Sequence, residues 1–461
     1  MYFEQFKVEG LGCYSYIIGC PGSGTACVVD PERHINGYLK AARRNHVKIT
    51  HIFDTHLHAD HISGARDLAA ATGATICLHP AVQADFEYQP VHENDFFTFG
   101  VARIEILETP GHTPNSISLI VSDLSRSKET LFICTGDLLF VGDIGRPDLA
   151  GDDLLEEQVK NLYHSLYEKL GRFPDYIEVY PAHGKGSLCG KGMSAKPMST
   201  LGYERRWNPL LKGLDFDSFR KIMTDEFEIR PPGFMSIVDK NKSGPDLIAG
   251  RPPLKQLDLS DVETFRKDPD TRLVDIRNSA EFGAAYIPGS INIGLVANSA
   301  MWLGMTMDAD KEIIIISDDY ESARDAEKQF RRVGFDRFAG CLSDGIDAYV
   351  DAAYDLEHLP QLTVSSFKDV LKKYSDHVVL DVRNHLEQKK APFDGAVHIP
   401  MQQFIQKGTD LKKDTHITVI CGTGYRSNIV GSILKSKGYK NVFCLMGGTA
   451  AWNRANSSKL S

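Results

Sequence analysis

Thr55-His56-Leu57-His58-Ala59-Asp60-His61 decides the fold of the first half of this 461-residue chain. The stretch follows the apolar, β-branched run at 49–53, which reads as a strand, and precedes residues 66–71, which read as helix. Four metal-competent side chains within six positions cannot all point one way from a regular helix or strand. A loop can fan them around one point. More candidates follow, each closing an apolar run: His112 in Thr109-Pro110-Gly111-His112-Thr113, Asp137 in Thr135-Gly136-Asp137, and His183 in Pro181-Ala182-His183-Gly184. Gly111 and Gly136 let the backbone turn tightly, so that His112 and Asp137 project into a shared cleft. One such histidine is more often a surface or satisfied core residue, but seven ligand-type residues in this order are not explained that way.

Around these motifs the chain alternates short strands, at 103–107, 116–121 and 130–134, with helical stretches. Residues 156–170 (EEQVKNLYHSLYEKL) form an amphipathic helix with Val159, Leu162, Tyr163 and Leu166 on one side. Residues 231–253 are dense in proline, glycine and charge and read as a linker. Beyond it the chain repeats. Leu273-Val274-Asp275-Ile276-Arg277-Asn278 returns as Leu380-Asp381-Val382-Arg383-Asn384, Glu281 returns as Glu387, and Gly289-Ser290-Ile291-Asn292-Ile293 returns as Gly395-Ala396-Val397-His398-Ile399. The expected division is therefore 1–232 for the first domain, 233–256 for the linker, and 257–357 and 358–461 for two copies of a small α/β unit.

Composition narrows the function. Apolar residues make up 42% and charged residues 25%, the balance of a globular protein. Apolar runs such as 313–316 are far too short for a bilayer, and the opening MYFEQFKVEG lacks the pattern of a secretory signal. Lys+Arg 52 against Asp+Glu 61 gives a net charge of −9, which argues against a nucleic-acid or anionic-membrane binder. Nine cysteines without close pairing do not form a disulfide framework, so a reducing cytoplasm is expected.

The order HxHxDH, GH, GD, AH across residues 56–183 resembles the metallo-β-lactamase fold, an αββα sandwich, over residues 1 to about 230. Within that superfamily THLHADHISG, TPGHTPNS, TGDLLFVGDIGRPDL and PAHGKGS look most like persulfide dioxygenases, with Gly145-Arg146-Pro147-Asp148 part of the likeness. The resemblance implies one Fe(II) per chain held by His56, His112 and Asp137, two imidazoles and a carboxylate on one face with three positions open for sulfur and O₂. His58, Asp60, His61 and His183 would orient the ligands and bound water. The substrate would be a low-molecular-weight thiol persulfide, oxidised to sulfite and free thiol. The same seven residues also suit a two-zinc, glyoxalase II-like thioester hydrolase, with His56, His58 and His112 on one metal, Asp60, His61 and His183 on the other, and Asp137 between them.

Residues 185–191 look like an insertion shared with persulfide dioxygenases fused to rhodanese domains. Lys185, Lys191, Lys196, Arg205 and Arg206 give it a basic rim suited to anionic persulfides, with Arg146, Lys185, Tyr203, Arg205 and Arg206 the expected substrate contacts. Cys189, flanked by glycine and lysine, is a candidate sulfur carrier whose thiol pKa those lysines would lower. Cys13, Cys20, Cys27, Cys77, Cys134 and Cys444 lie in or beside apolar strand patterns and read as inert.

In the last copy, the buried strand 417–420 ends on Cys421-Gly422-Thr423-Gly424-Tyr425-Arg426-Ser427, followed by a helix at 428–437. A strand-end cysteine before a glycine loop and a helix N-terminus is built to hold a thiolate, and Arg426 can receive a sulfur oxyanion. This resembles the active loop of a rhodanese, which carries sulfane sulfur on cysteine; a phosphatase loop typically has a longer cysteine-to-arginine spacing. The glycines Gly334 and Gly438 set Ser317 against Cys421 and Ser322 against Arg426, so the first copy has neither thiol nor arginine and is expected to be catalytically silent. The whole reads as an α/β multidomain enzyme: a metallo-β-lactamase αββα sandwich followed by two rhodanese-like α/β domains. It would be cytoplasmic and homo-oligomeric, with persulfide, O₂, sulfite and thiosulfate as partners, and no nucleic acid or membrane. A non-catalytic sulfur-binding adaptor is the reading these intact motifs oppose.

Overall fold

The computed structural model describes residues 1–8, 10–187, 189–190, 192–224 and 233–457. The chain forms two compact units, residues 1–252 with 331–334, and residues 253–330 with 335–461.

In the first unit, the first six strands in chain order, Tyr2–Val8 to Gln89–Pro90, form one sheet. The next six, Phe96–Phe99 to Ser199–Thr200, form a second. The facing sides carry Tyr14, Ile18, Val29 and Phe53 from one sheet and Ile104, Leu119 and Phe132 from the other, fused into one apolar layer. Helices cover both outer faces. Tyr38 and Leu68 pack on the first sheet and Val159, Leu162 and Leu166 on the second. This is the αββα sandwich. The expected strands are found at Lys48–Phe53, Ala102–Glu108, Ile117–Asp123 and Phe132–Gly136, and the first expected helix at Ala65–Thr72. The amphipathic helix is α-helical over Leu155–His164 and then widens into a π turn at Ser165–Lys169. There Ser165 Oγ donates to Pro110 O at 2.8 Å.

The stretch expected as linker is helical in its first part. Residues 225–232 lie outside the described residues, but Gly233–Ser243 is a helix belonging to the first unit. Phe234, Ile237 and Asn241 are buried on it. Its buried stripe is only three residues long, so the surrounding glycine, lysine and proline dominate the local pattern.

In the second unit, two all-parallel sheets repeat one plan. The first runs Ile291–Asn292, Thr271–Asp275, Glu312–Ile316, Phe338–Leu342 in space. The second runs Val397–His398, Val378–Asp381, Ile417–Ile420, Val442–Leu445, with Gln361–Leu362 added at the far edge. A single parallel bridge from Gln256 to Cys341 holds that edge place in the first copy. At each second-strand end an aspartate grips an arginine two residues on, Arg277 Nη2 to Asp275 Oδ2 and Arg383 Nη2 to Asp381 Oδ2, both at 2.6 Å. Among the described residues no helix is long and apolar enough to cross a membrane, and all nine cysteines are free thiols.

Candidate active sites

The metal-type residues gather at one end of the sandwich because each follows the same end of a strand. His56 to His61 follow Lys48–Phe53, His112 follows Ala102–Glu108, Asp137 follows Phe132–Gly136, and His183 follows Glu178–Pro181. All seven are buried. Glycine brings two of the loops together. A Cβ on Gly136, at φ +53, would lie 2.8 Å from Thr55 Oγ1, and one on Gly111 would lie 2.4 Å from Leu162 Cα. Gly145 is tighter: a Cβ there would meet Asp137 O at 1.9 Å and His112 Cβ at 3.1 Å. That is the physical content of the Gly145-Arg146-Pro147-Asp148 motif.

Three donor atoms converge and are left bare. His56 Nε2 is 3.7 Å and His112 Nε2 3.3 Å from Asp137 Oδ2. Asp137 Oδ2 is buried and has no hydrogen-bond partner. The far side of each ring is anchored: His56 Nδ1 lies 3.0 Å from Thr55 Oγ1, and His112 Nδ1 2.9 Å from Arg146 O. Burial pulls both imidazole pKa values down, with His58 adding to it at His56, so both rings are neutral. Burial opposes the Asp137 carboxylate, but His183 and His56 overcome that and hold its pKa below the usual range. Two neutral imidazoles and one carboxylate, with ligand atoms within 4.8 Å of one another, fit a divalent transition metal.

Of the other four, Asp60, His61 and His183 form with Cys13 a second group whose ligand atoms lie within 4.8 Å of one another, and His58 turns to Asp30. His58 Nε2 lies 3.2 Å from Asp30 Oδ1. Asp30 also accepts from Thr55 N and Thr55 Oγ1 at 2.6 and 2.9 Å, and so braces the whole loop. His183 spans Asp137 Oδ1 at 2.6 Å and Asp60 Oδ2 at 2.8 Å, and His61 Nδ1 lies 3.0 Å from Asp60 Oδ1. Asn241, on the helix Gly233–Ser243, donates through Nδ2 to His58 O at 2.9 Å and His61 O at 2.8 Å, and accepts from Ser63 N at 2.9 Å. Neither Asp30 nor Asn241 carries a sequence signal. Cys13, expected to be inert, belongs to this cluster: its Sγ is 3.6 Å from Asp60 Oδ2 and 3.8 Å from His61 Nδ1.

Cys189 lies beside the site, within 4.8 Å of ligand atoms of Asp137 and His183. Its pKa is not lowered as expected. Burial pushes the thiol up, and Asp137 and Asp60 push it further. Lys191, assigned to the basic rim, lies outside the described residues; Lys185 and Arg206 are exposed. Two arginines expected to contact substrate are paired within the fold. Arg146 is buried against Asp148, Nε and Nη2 donating at 2.8 and 2.6 Å. Arg205 pairs with Asp175 and donates to Leu170 O, Gly171 O and Phe173 O. Tyr203 is exposed, with Lys196 Nζ 5.7 Å from its ring centre.

In the second unit Cys421 directly follows the strand Ile417–Ile420, and the helix begins earlier than expected, at Tyr425–Ser436. Gly424 makes the turn at φ +105 and donates its N–H to Cys421 Sγ at 3.1 Å. Ser427 Oγ lies 3.7 Å from the sulfur and donates to Gly424 O at 2.8 Å, and Tyr425 OH donates to Gly294 O at 2.7 Å. Thr423 is exposed and Gly422 half-buried. Arg426 does not stand open. Both its terminal nitrogens donate to Glu387, and it also interacts with Cys421.

The Metallo-beta-lactamase superfamily matches residues 8–183, and the Rhodanese-like domain matches residues 258–352 and 363–455. Persulfide dioxygenase ETHE1, mitochondrial, of Mus musculus is 31% identical over 220 residues, covering 46% of this chain and 75% of the relative. The chain belongs to the persulfide dioxygenase family. This persulfide dioxygenase-family chain adds two rhodanese-like domains to the shared catalytic fold. A crystal structure of a metallo-beta-lactamase from Staphylococcus aureus subsp. aureus COL superposes at TM-score 0.66 with 30% identity, over 74% of this chain and 98% of that one. Hydroxyacylglutathione hydrolase of Polaromonas sp. is 34% identical, but over 173 residues that cover 37% of this chain and 61% of the hydrolase.

Proposed function

We propose that the first unit oxidises the terminal sulfur of a low-molecular-weight thiol persulfide with O₂ and that the second carries sulfane sulfur on Cys421. In the first reaction persulfide, O₂ and water give thiol, sulfite and two protons. In the second, sulfite takes the outer sulfur of the Cys421 persulfide to give thiosulfate and restores the thiolate. The observation that carries the one-metal reading is the convergence of His56 Nε2, His112 Nε2 and the unpartnered Asp137 Oδ2, while His58 Nε2 faces Asp30.

His56, His112 and Asp137 would hold one Fe(II), which when bound supplies adjacent open positions for the substrate sulfur and O₂. Thr55 and Arg146 O fix the two rings so that Nε2 faces inward. His183 occupies Asp137 Oδ1 and leaves Oδ2 to the metal side. Phe140 is buried beside the site, its ring centre 6.4 Å from that of His183. At the other centre the Gly424 N–H supports negative charge on Cys421 Sγ.

Metal analysis of purified protein with O₂ uptake and product analysis tests this. The expected result is one iron per chain, O₂ consumption with a thiol persulfide, and thiosulfate as the released product. Cys421→Ser should keep O₂ uptake and shift the product to sulfite. Two tightly bound zinc ions with thioester hydrolysis and no O₂ uptake would refute the reading in favour of the hydrolase.

A further inference from the structure

Arg426, which also faces Cys421, is paired with a partner whose position is set independently. Nη2 meets Glu387 Oε1 at 2.5 Å and Nη1 meets Oε2 at 2.7 Å, a two-pronged pair. Glu387 is the third residue of the helix His385–Lys390. Its Oε2 also accepts the Asn384 N–H at 3.1 Å while Asn384 Oδ1 accepts the Glu387 N–H at 2.8 Å, a capping box. A Cβ on Gly422 would lie 3.5 Å from both Arg426 Nη2 and Glu387 Oε1, so the pair sits directly over the Cys421 loop. Burial opposes the Glu387 charge, yet Arg426 holds its pKa below the ordinary value.

The first copy is an internal control. It has the same capping box on Asn278 and Glu281, with Ser322 in place of the arginine. The glutamate therefore serves its helix in both copies, and only in the second does its charge cancel a cation at a cysteine loop.

We infer that Glu387 sets the charge preference of the Cys421 site: by cancelling Arg426 it favours sulfur donors that bring one negative charge over donors that bring two. The inference rests on the sulfur-transfer role proposed above. With Cys421 as thiolate, Arg426 and Glu387 leave the loop mouth one charge negative, and a dianion must approach against that field or displace Glu387 from both prongs. In the loading step the thiolate attacks the outer sulfur of the donor and a new S–S bond forms. The donor's S–S bond breaks, its electron pair leaving on sulfite from thiosulfate or on methanesulfinate from methanethiosulfonate. Cyanide then takes the sulfur as thiocyanate and restores the thiolate.

The test compares thiosulfate, a dianion, with methanethiosulfonate, a monoanion, as donors to cyanide in the full-length protein. Glu387→Gln removes the charge and keeps the helix cap, because glutamine serves at that position too. The ratio of kcat/KM for thiosulfate to that for methanethiosulfonate should rise roughly tenfold in the variant, mainly through a lower KM for thiosulfate. An unchanged or lower ratio overturns the inference, including the case where both donors weaken together because Glu387 is merely structural. Transfer from both donors that survives Cys421→Ser overturns the underlying sulfur-carrier reading, and the inference with it.

Discussion

Replacing Asn241 by alanine should loosen the metal loop of a site the residue never touches. The side chain is 5% exposed and makes three hydrogen bonds, two to the carbonyls of His58 and His61 and one from Ser63 N. Three such bonds at about 1 kcal/mol each come to about 3 kcal/mol, or roughly a hundredfold in the equilibrium between the ordered and loosened loop. That matches the upper end of the 10–100-fold cost of removing a group that orients a metal ligand's surroundings. The assay is iron retained against increasing ferrozine, read beside persulfide-dependent O₂ uptake and far-ultraviolet circular dichroism. Asn241→Ala should lose iron at a far lower chelator concentration while its secondary structure persists. Asn241→Asp should be worse than alanine, because its carboxylate still accepts from Ser63 N but faces two carbonyl oxygens with no proton to offer. Wild-type iron retention in Asn241→Ala, or better retention in the aspartate than in the alanine variant, would refute the reasoning.

Gly145→Ala should abolish O₂ uptake and iron binding, since its Cβ would stand 1.9 Å from Asp137 O and so must displace a ligand loop; iron content at the wild-type level would count against this. The second concerns pH. Because the folded pKa of Glu387 lies below its ordinary 4.5, its ion pair stabilises the fold above that value and the contribution is lost as pH falls through the folded value. Denaturant titrations should therefore show wild type more stable than Glu387→Gln at neutral pH and the gap closing below pH 4.5, whereas a gap that widens on acidification would contradict the assignment.

What the sequence made legible was whatever leaves a local pattern. The HxHxDH loop, the three later ligand motifs and the Cys421 loop are short and sit at strand ends, and the repeated Asp-x-Arg strand ends exposed the duplication. Partners brought in from far along the chain leave no such mark. Asn241 is 180 residues from His61, and a lone asparagine in a charged, glycine- and proline-rich stretch reads as solvent-facing. Asp30 closes a strand as ordinary strand-end aspartates do, so its grip on Thr55 and His58 is invisible before folding. Counting charges along the chain misses such partners too. Arg146, Arg205 and Arg426 each read as an open cation, but a guanidinium has five donors, and burial obliges the fold to satisfy them with Asp148, with Asp175 and main-chain carbonyls, and with Glu387.

The silent copy shows how little separates a sulfur-carrying loop from an inert one, and why two substitutions should not bridge the gap. Ser317 follows the strand Glu312–Ile316 as Cys421 follows Ile417–Ile420. Only Asp318 and Asp319 then precede the helix Tyr320–Arg332, where Gly422, Thr423 and Gly424 precede Tyr425–Ser436. The shorter loop turns its peptide the other way. Ser317 Oγ donates to Asp319 O at 2.8 Å, whereas Cys421 Sγ accepts the Gly424 N–H at 3.1 Å. A thiolate at 317 would thus meet a carbonyl oxygen where its counterpart meets a donor. It would also stand beside Asp318, whose own pKa is raised by burial and then by Glu281. In a Cys421→Ser background, Ser317→Cys with Ser322→Arg should restore no thiosulfate-to-cyanide transfer. Exchanging residues 317–323 for the seven-residue sequence CGTGYRS should restore some, since it returns the glycine turn and removes both aspartates. Full transfer from the two substitutions alone would show that loop length and peptide orientation are not what silences the first copy.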